Sequence, residues 1–250
     1  MATDFQAAAN ALLRARRTRV PLDALPAAAR PTSIDDVQAI QELVAAELGP
    51  IVAWKVGAAT PSAEPGGAPI HAATLRHGSE PFRATDFNLI GVEGEIGFTL
   101  GSDLPSRDTP YTREEILEAL ATMHPMIELV DSRFRAIGSD KLSHAADQGS
   151  HGALVVGPAL ADWRHIDPIA MPVRLTLNGK VALEKIGGNS AGEPIRLIQW
   201  LANTGSRPYG GLKAGMVITT GSCTGMPMVE PGVRVRVEFE GVGAVETAVL

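Results

Sequence analysis

The chain has 250 residues, of which 45% are hydrophobic and 20% charged, so it can bury one substantial core. Its net charge of −6 gives no electrostatic support to a nucleic-acid surface, and no apolar run reaches membrane-spanning length. The single cysteine, Cys223, excludes an intramolecular disulfide and is interpreted as structural. Because the first residues also lack a secretory signal, we predict a cytoplasmic protein that binds neither nucleic acid nor membrane.

The first fifty residues are predicted to be helical. Ala7, Ala11 and Ala15 recur at helical spacing, and Ser33 caps a second helix that Gly49 ends. The basic cluster of this segment consists of Arg14, Arg16, Arg17 and Arg19. Since cations at the end of a helix suit its dipole, this cluster is interpreted as stabilising the helix and not as a binding patch.

Short β runs separated by glycine and proline follow from residue 51 onward. The predicted strands cover 51–56, 89–100, 126–130, 153–156, 216–220, 233–240 and 244–250, with a hairpin over 173–183. Helices are predicted from Thr112 to about Met123 and over 195–203, and residues 60–78 are predicted to form a long functional loop. Strands outnumber helices without a βαβ rhythm, so we predict an α+β fold with a mixed, rolled β-sheet core and N-terminal and flanking helices. Residues 1–50 are expected to form a helical segment and residues 51–250 the main domain.

Three carboxylates are the strongest chemical signal of the chain. Glu93 and Glu95 lie on the polar face of an alternating strand, roughly 7 Å apart, and like charges so close repel unless a cation or a proton intervenes. Glu128 lies between Ile127 and Leu129, where an unpaired carboxylate is costly to bury. A solvated polar face is the alternative interpretation of the first pair. Together the three favour a hard divalent cation, Mg²⁺ or Mn²⁺.

Several short motifs occur in a characteristic order and spacing. They are Trp54-Lys55-Val56-Gly57, Glu93-Gly94-Glu95-Ile96, Ile127-Glu128-Leu129-Val130-Asp131-Ser132-Arg133, Asp147-x-x-Ser150-x-Gly152, Gly157, Trp200-Leu201-Ala202-Asn203, Leu212-Lys213-Ala214-Gly215 and Thr219-Thr220-Gly221-Ser222. In this order they resemble the 2-keto-4-pentenoate hydratase group of the fumarylacetoacetate hydrolase-like superfamily, over about residues 50 to 250. Residues 51–250 are therefore expected to form a catalytic domain of that type.

The resemblance implies a metal site at Glu93, Glu95 and Glu128 and an active-site role for Lys55 close to the metal-bound substrate. It also places Ser150 in a D-N-x-S-x-G pattern, although Gln148 stands here in place of the usual asparagine. The implied substrate is a small 2-oxo or 2-hydroxy-enoate, and the implied assembly is a homo-oligomer.

The implied reaction is hydration of 2-hydroxypenta-2,4-dienoate to 4-hydroxy-2-oxopentanoate, a hydro-lyase reaction, through an enolate that the metal stabilises. The group that acts on water near C4 and C5 is not singled out by the sequence. Ser150 is preferred, with His71 and Asp147 as the other candidates.

Other functions stay open at this stage. Decarboxylation of a 2-oxo-enedioate such as 4-oxalocrotonate would use the same enolate. Hydrolytic cleavage of an acylpyruvate would need a His/Glu pair to activate water, and His77 with Glu80 has a similar spacing but lies in the predicted loop. A non-catalytic partner subunit is the remaining alternative, which intact Glu93, Glu95, Glu128 and Lys55 disfavour.

Overall fold

The computed structural model describes residues 3–137 and 140–250. Its helices are α1 (Phe5–Thr18), α2 (Ile34–Leu48), α3 (Arg113–Ala119), α4 (Lys141–Ala146) and α5 (Pro194–Trp200). The predicted caps are confirmed, because Ser33 accepts from the backbone N–H of Asp36 and Thr112 forms a capping box with Glu115. Within the described chain, none of the helices is long and apolar enough to cross a bilayer.

Thirteen strands are assigned in the described part of the chain. They are β1 (Ile51–Gly57), β2 (Gly66–His71), β3 (Leu75–His77), β4 (Gly91–Leu100), β5 (Leu104–Pro105), β6 (Leu120–Val130), β7 (His151–Val156), β8 (Pro172–Leu177), β9 (Lys180–Ile186), β10 (Gly211–Leu212), β11 (Val217–Ser222), β12 (Val233–Phe239) and β13 (Gly243–Val249). They form a seven-stranded sheet in the order β2-β1-β11-β4-β6-β7-β3, a four-stranded sheet in the order β13-β12-β8-β9, and the pair β10-β5. The large sheet contains parallel and antiparallel pairs and curls into a half-barrel, which confirms the predicted α+β class with a mixed, rolled sheet.

Two predicted elements are wrong in detail. Residues 60–78 are not one long loop, because β2 pairs antiparallel with β1 and β3 pairs parallel with β7. Gly67 and Pro69 make the sequence of β2 resemble a loop. A proline is nevertheless tolerated on an edge strand such as β2. The glycine lies close to β1, where a Cβ on Gly67 would lie 2.9 Å from the carbonyl oxygen of Lys55. The helix from Thr112 ends at Ala119 and not near Met123, because the chain joins β6 from Leu120 onward.

The two larger sheets pack face to face over one apolar core. Phe98 and Ile127 of the large sheet and Val237 of the four-stranded sheet all belong to this core. Gly94 permits the close approach, since a Cβ there would lie 2.8 Å from a methyl carbon of Val237. The packed face fixes the large sheet, so its other face presents side chains in a defined arrangement.

The N-terminal helices form a second apolar cluster. Leu12 of α1 and Ile40 of α2 pack there with Phe134 and with Ala146 of α4. Since α4 leads directly into the turn before β7, this cluster holds α1 and α2 against that turn. The N-terminal segment is thereby connected to the face of the sheet opposite the main core.

Candidate active site

The three glutamates converge on the face of the large sheet opposite the main core. Glu93 of β4 and Glu128 of β6 are direct cross-strand partners, and Glu95 lies two residues further along β4 on the same side. One carboxylate oxygen from each lies within 4.8 Å of the others. Val92 and Ile96 point to the opposite face and are buried in the main core, so the alternation read from the sequence holds.

Burial and mutual repulsion raise the pKa values of two of these carboxylates. Loss of water, followed by repulsion from Glu95 and Glu128, raises the pKa of Glu93 to about 9. Burial and repulsion from Glu128 raise the pKa of Glu95 to about 7. All three carboxylates therefore ionise together only when positive charge is brought to them.

Lys55 supplies part of that positive charge. Its Nζ lies 2.6 Å from Oε1 of Glu128 and also donates to the carbonyl oxygen of Gly149 at 3.0 Å. Burial disfavours the ammonium, but Glu128 and Glu93 outweigh this and hold the pKa of Lys55 above its usual value. Lys55 is thus a charged proton donor, and its side chain is 19% exposed.

A buried histidine completes the environment of Glu128. His151 faces Oε1 of Glu128 through Nδ1 at 2.9 Å and Oγ1 of Thr74 through Nε2 at 3.0 Å. Burial lowers the pKa of His151 to about 4, so the ring is neutral and donates from Nδ1 to the carboxylate, while Nε2 lies within hydrogen-bond distance of the Thr74 hydroxyl. Burial opposes ionisation of Glu128, yet Lys55 and His151 hold its pKa below the usual value.

The second oxygen of Glu128 tests whether these residues fit a metal ion. Oε2 is fully buried and has no hydrogen-bond partner among the described residues, whereas Oε1 receives two donors. When all three carboxylates are ionised, the one ammonium beside them leaves two negative charges uncompensated. An all-oxygen donor set with an unpaired buried oxygen is what a hard divalent cation requires, so Glu93, Glu95 and Glu128 could hold Mg²⁺.

Glu95 is oriented by residues near the C-terminal end of β11. The hydroxyl of Thr219 and the N–H of Gly221 both donate to its Oε2, the latter at 2.9 Å. The register between β11 and β4 shifts between Thr219 and Ser222, and Gly221 takes φ +90° there, which suits glycine. The motif Thr219-Thr220-Gly221-Ser222 has no role that the sequence predicts, because its contact with Glu95 depends on the shifted register.

The turn before β7 carries backbone strain beside Lys55. Gln148, Gly149 and Ser150 have φ values of 51°, 58° and 59°, and the left-handed region costs roughly 1–2 kcal/mol for each non-glycine residue. This conformation directs the Gly149 carbonyl at Lys55. A Cβ on Gly149 would lie 3.4 Å from Cε of that lysine, so the turn closes one wall of the site.

A buried ion pair anchors the start of this turn. The carboxylate of Asp147 accepts from Nε of Arg133 at 2.5 Å and from its backbone N–H at 2.9 Å. Asp147 is therefore a structural residue and not a free base for water. The Ser150 amide donates to the Asp147 carbonyl at 3.0 Å, while its Oγ lies 3.2 Å from Nδ1 of His144.

The remaining candidate functional residues lie away from the three glutamates. Nδ1 of His71 lies 2.9 Å from the Gly49 carbonyl oxygen at the far end of β2. His77 and Glu80, the pair considered for a hydrolase, are both exposed. Cys223 is buried, and burial raises the pKa of its thiol to about 12, so the cysteine stays a neutral thiol.

Comparison with known proteins agrees with this architecture. A 2-keto-4-pentenoate hydratase from Paraburkholderia xenovorans (strain LB400) is 33% identical over 62% of this chain and 57% of its own length. A 2-hydroxyhexa-2,4-dienoate hydratase from Comamonas testosteroni is 34% identical over 61% of this chain and 57% of its own. The chain thus spans little more than half the length of the curated relatives it matches.

A solved structure shares the fold over nearly the whole chain. It is a 4-oxalocrotonate decarboxylase from Pseudomonas putida G7, complexed with magnesium and adipate, with a TM-score of 0.86 and 21% identity over 98% of this chain and 97% of that chain. Residues 54–250 also match the profile of the family described as fumarylacetoacetate (FAA) hydrolase C-terminal. The resemblance drawn from the motifs is confirmed, and the chain belongs to the fumarylacetoacetate hydrolase C-terminal family.

Proposed function

We propose that this protein is a metal-dependent hydro-lyase that adds water to a 2-hydroxy-2,4-dienoate of the 2-keto-4-pentenoate type and yields a 4-hydroxy-2-oxo acid. The observation that carries this proposal is that the two carboxylate oxygens of Glu128 have different surroundings. One oxygen is held by Lys55 and His151, the other is buried and unpaired among the described residues, and Glu128 belongs to the cluster of three carboxylates. The hydratase names of the two curated relatives support the substrate class.

The proposed metal ligands are Glu93, Glu95 and Glu128, and the proposed ion is Mg²⁺ or Mn²⁺. The all-oxygen donor set supports both ions, and the magnesium bound by the decarboxylase of the same fold supports the first. A divalent cation held there would supply Lewis-acid stabilisation of negative charge at the C2 oxygen of the substrate. Thr219 and Gly221 keep Glu95 oriented for this role through their hydrogen bonds to its Oε2.

Lys55 is proposed as the catalytic residue that handles protons. Two of its three N–H groups donate to Glu128 and Gly149, and the third is available to an oxygen of the substrate. In the proposed reaction the C2 hydroxyl loses a proton and C5 gains one, and then the oxygen of water bonds to C4 while C3 takes the proton. A positioned ammonium beside the C2 oxygen would stabilise the negative charge left when the C2 hydroxyl loses its proton.

Ser150 is proposed to orient water near C4. The support is its place directly after Gly149, whose carbonyl contacts Lys55. Its hydroxyl also lies within hydrogen-bond distance of the His144 imidazole, which would fix the hydroxyl's direction. Residues 1–50 are proposed as a helical segment that supports the catalytic domain formed by residues 51–250.

A 2-oxo-enedioate decarboxylase is the second candidate. Its support is the structural relative of that activity, and loss of carbon dioxide would leave the same negative charge at the C2 oxygen. An acylpyruvate hydrolase is disfavoured because His77 and Glu80 are exposed. A non-catalytic subunit is disfavoured because Lys55 and the three glutamates are intact and assembled.

The test is turnover by the protein after chelator treatment and addition of Mg²⁺ or Mn²⁺. The substrates are 2-hydroxypenta-2,4-dienoate, 4-oxalocrotonate and an acylpyruvate, with products identified by NMR and carbon dioxide trapped. We expect a metal-dependent 4-hydroxy-2-oxo acid as the main product. Faster release of carbon dioxide or cleavage of the acylpyruvate would replace the hydratase assignment, and no turnover at all would leave a non-catalytic role.

The assembly and location are proposed from the sequence. We propose a homo-oligomer in the cytoplasm, because the family resemblance implies a homo-oligomer and a single cysteine suits a reducing compartment. Light scattering at micromolar concentration measures the assembly. A particle of 26.2 kDa, the mass of one chain, would contradict the oligomer.

A further inference from the structure

We propose that Arg16, on the N-terminal helix α1, is a positioning residue for Lys55. It would act through the side chain of Gln148 and the left-handed turn that Gln148 begins. The inference rests on the proposed catalytic role of Lys55. It gives a function to one member of the basic cluster that the sequence assigns only to the helix dipole.

The first link joins α1 to the turn. Nη2 of Arg16 donates to Oε1 of Gln148 at 2.8 Å, and Nε2 of Gln148 donates to the carbonyl oxygen of Pro69 at 3.1 Å. Gln148 is only 1% exposed, so its amide has no water to replace a lost partner. Both ends of this buried side chain are therefore fixed, one by the helix and one by strand β2.

The second link joins the turn to Lys55. Gln148 adopts φ 51°, which a side chain rarely takes, and such a conformation persists only when its surroundings determine it. The next residue is Gly149, whose carbonyl accepts from Lys55 Nζ at 3.0 Å. Releasing the Gln148 side chain therefore frees the carbonyl that restrains the ammonium.

The sheet makes the same connection from the other side. Pro69 is the register partner of Trp54, and Ala68 is the register partner of Lys55. Gln148 is thus clamped to the strand that runs beside the lysine. The distance from Arg16 to the site is bridged by two hydrogen bonds and one turn of backbone.

Arg16 differs from the other arginines of α1 in its surroundings. Arg14 and Arg17 are exposed, whereas Arg16 is half-buried and reaches Gln148. Arg17 therefore offers a matched control of equal charge on the same helix. The planar guanidinium also suits a buried amide oxygen, and a lysine would keep the charge with a single donor group.

The experiment compares Arg16→Met, Arg16→Lys and Gln148→Asn with Arg17→Met and the unaltered protein. We measure kcat, KM, calorimetric Mg²⁺ affinity and thermal unfolding. For Arg16→Met we expect kcat to fall about tenfold to a hundredfold, since small misplacements of reacting groups cost this much, while KM and Mg²⁺ affinity stay within about threefold. Arg16→Lys should recover part of kcat, and Arg17→Met should match the unaltered protein.

Coupling between the two sites separates positioning from general support of the fold. In the Gln148→Asn protein, the further change Arg16→Met should lower kcat by less than twofold, because both substitutions act through the same turn. Full multiplicative losses, an equal loss in Arg17→Met, or a kcat for Arg16→Met within twofold of the unaltered value would overturn the proposal. If Arg16→Met does not fold, Arg16→Lys replaces it in the same cycle.

One readout does not depend on the reaction. In a crystal structure of Arg16→Met we expect the 3.0 Å contact between Lys55 Nζ and the Gly149 carbonyl oxygen to be lost. Retention of that contact overturns the positioning role even if the protein turns over none of the proposed substrates. Failure of the proposed function and failure of this inference are thereby distinguished.

Discussion

Lys55 and Glu128 form an ion pair of 2.6 Å that uses only one oxygen of a fully buried carboxylate. A buried ion pair is costly to desolvate and contributes little to stability compared with apolar packing. The pairing is better explained by the oxygen that it leaves unpaired, since it orients Glu128 while engaging Oε1 and not Oε2.

Replacing Lys55 should separate chemistry from metal binding. We expect Lys55→Met to lower kcat by about 10²–10⁴-fold, because one positioned acid–base group is lost. The Mg²⁺ affinity should stay nearly unchanged, because all three glutamates remain and the lost repulsion between ammonium and cation offsets the lost restraint on Glu128. Lys55→Arg should not restore the rate, since guanidinium is bulkier and does not release its proton near neutral pH. Steady-state kinetics and calorimetry check both points. A rate within a few-fold of the unaltered protein would make Lys55 a structural lysine.

Replacing Glu128 should instead remove metal binding. Glu128→Gln replaces the charged ligand by a neutral amide. The Mg²⁺ affinity should therefore fall roughly a hundredfold or more, because changing even a residue that only supports a metal ligand costs up to about a hundredfold. Glu118→Gln is the control, because Glu118 is exposed and distant from the cluster. Calorimetry on chelator-treated protein measures both variants. Equal affinities would exclude Glu128 as a ligand.

Metal binding should release protons. Without a cation the pKa of Glu93 is raised to about 9 and that of Glu95 to about 7, so at pH 7 the first is protonated and the second partly so. Ligation requires both to be ionised, and we expect about one to two protons to leave for each ion bound, with affinity rising from pH 6 to pH 9. Calorimetry in buffers of different ionisation enthalpy counts these protons. Binding without proton release would show that the cluster is not the site.

The metal-free protein should lose stability in alkali. The fold favours the protonated form of Glu93, so this favourable contribution is present in acid and declines as pH rises from the unfolded value of 4.5 toward about 9. Glu93→Gln removes the ionisation, and at pH 9 its Tm should exceed that of the unaltered protein by at least about 3 °C. The two proteins should converge near pH 5. A lower Tm for the variant at pH 9 would contradict the raised pKa.

Ser150 should affect hydration more than ketonisation. If its hydroxyl orients water, Ser150→Ala should slow formation of the 4-hydroxy acid about tenfold to a hundredfold. Uptake of deuterium at C5 from D₂O, which follows ketonisation, should proceed almost normally. Ser62→Ala on an exposed loop is the control. Equal slowing of both steps would assign Ser150 to the structure of the turn.

Strand periodicity predicted a large part of the site, because it depends on neighbouring residues alone. Alternation along β4 placed Glu93 and Glu95 on one face, and that face carries the cluster. The sequence could not show that Glu128 lies directly opposite Glu93, since this depends on the register between β4 and β6. His151 was missed for a related reason, because the register shift beside Val130 changes the face on which it lies.

The wrong prediction over residues 60–78 has a local cause. Gly66, Gly67 and Pro69 are typical of loops, and only the edge position of β2 and its close approach to β1 allow them in a strand. Arg16 satisfied the simplest interpretation, a cation near the end of a helix, so nothing in the sequence pointed to Gln148. Interactions across 132 residues leave no local pattern.

The site is assembled from segments that are far apart in the chain, and this affects how the protein folds. Lys55 and Glu128 are 73 residues apart, and Glu95 and Thr219 are 124 residues apart. High contact order slows folding, because the entropy of closing long loops must be overcome before the distant contacts form. In a nascent chain β4 can pair with β6 and bring Glu93 opposite Glu128, but Lys55 of β1 can join them only after β11 has emerged from the ribosome and inserted between β1 and β4.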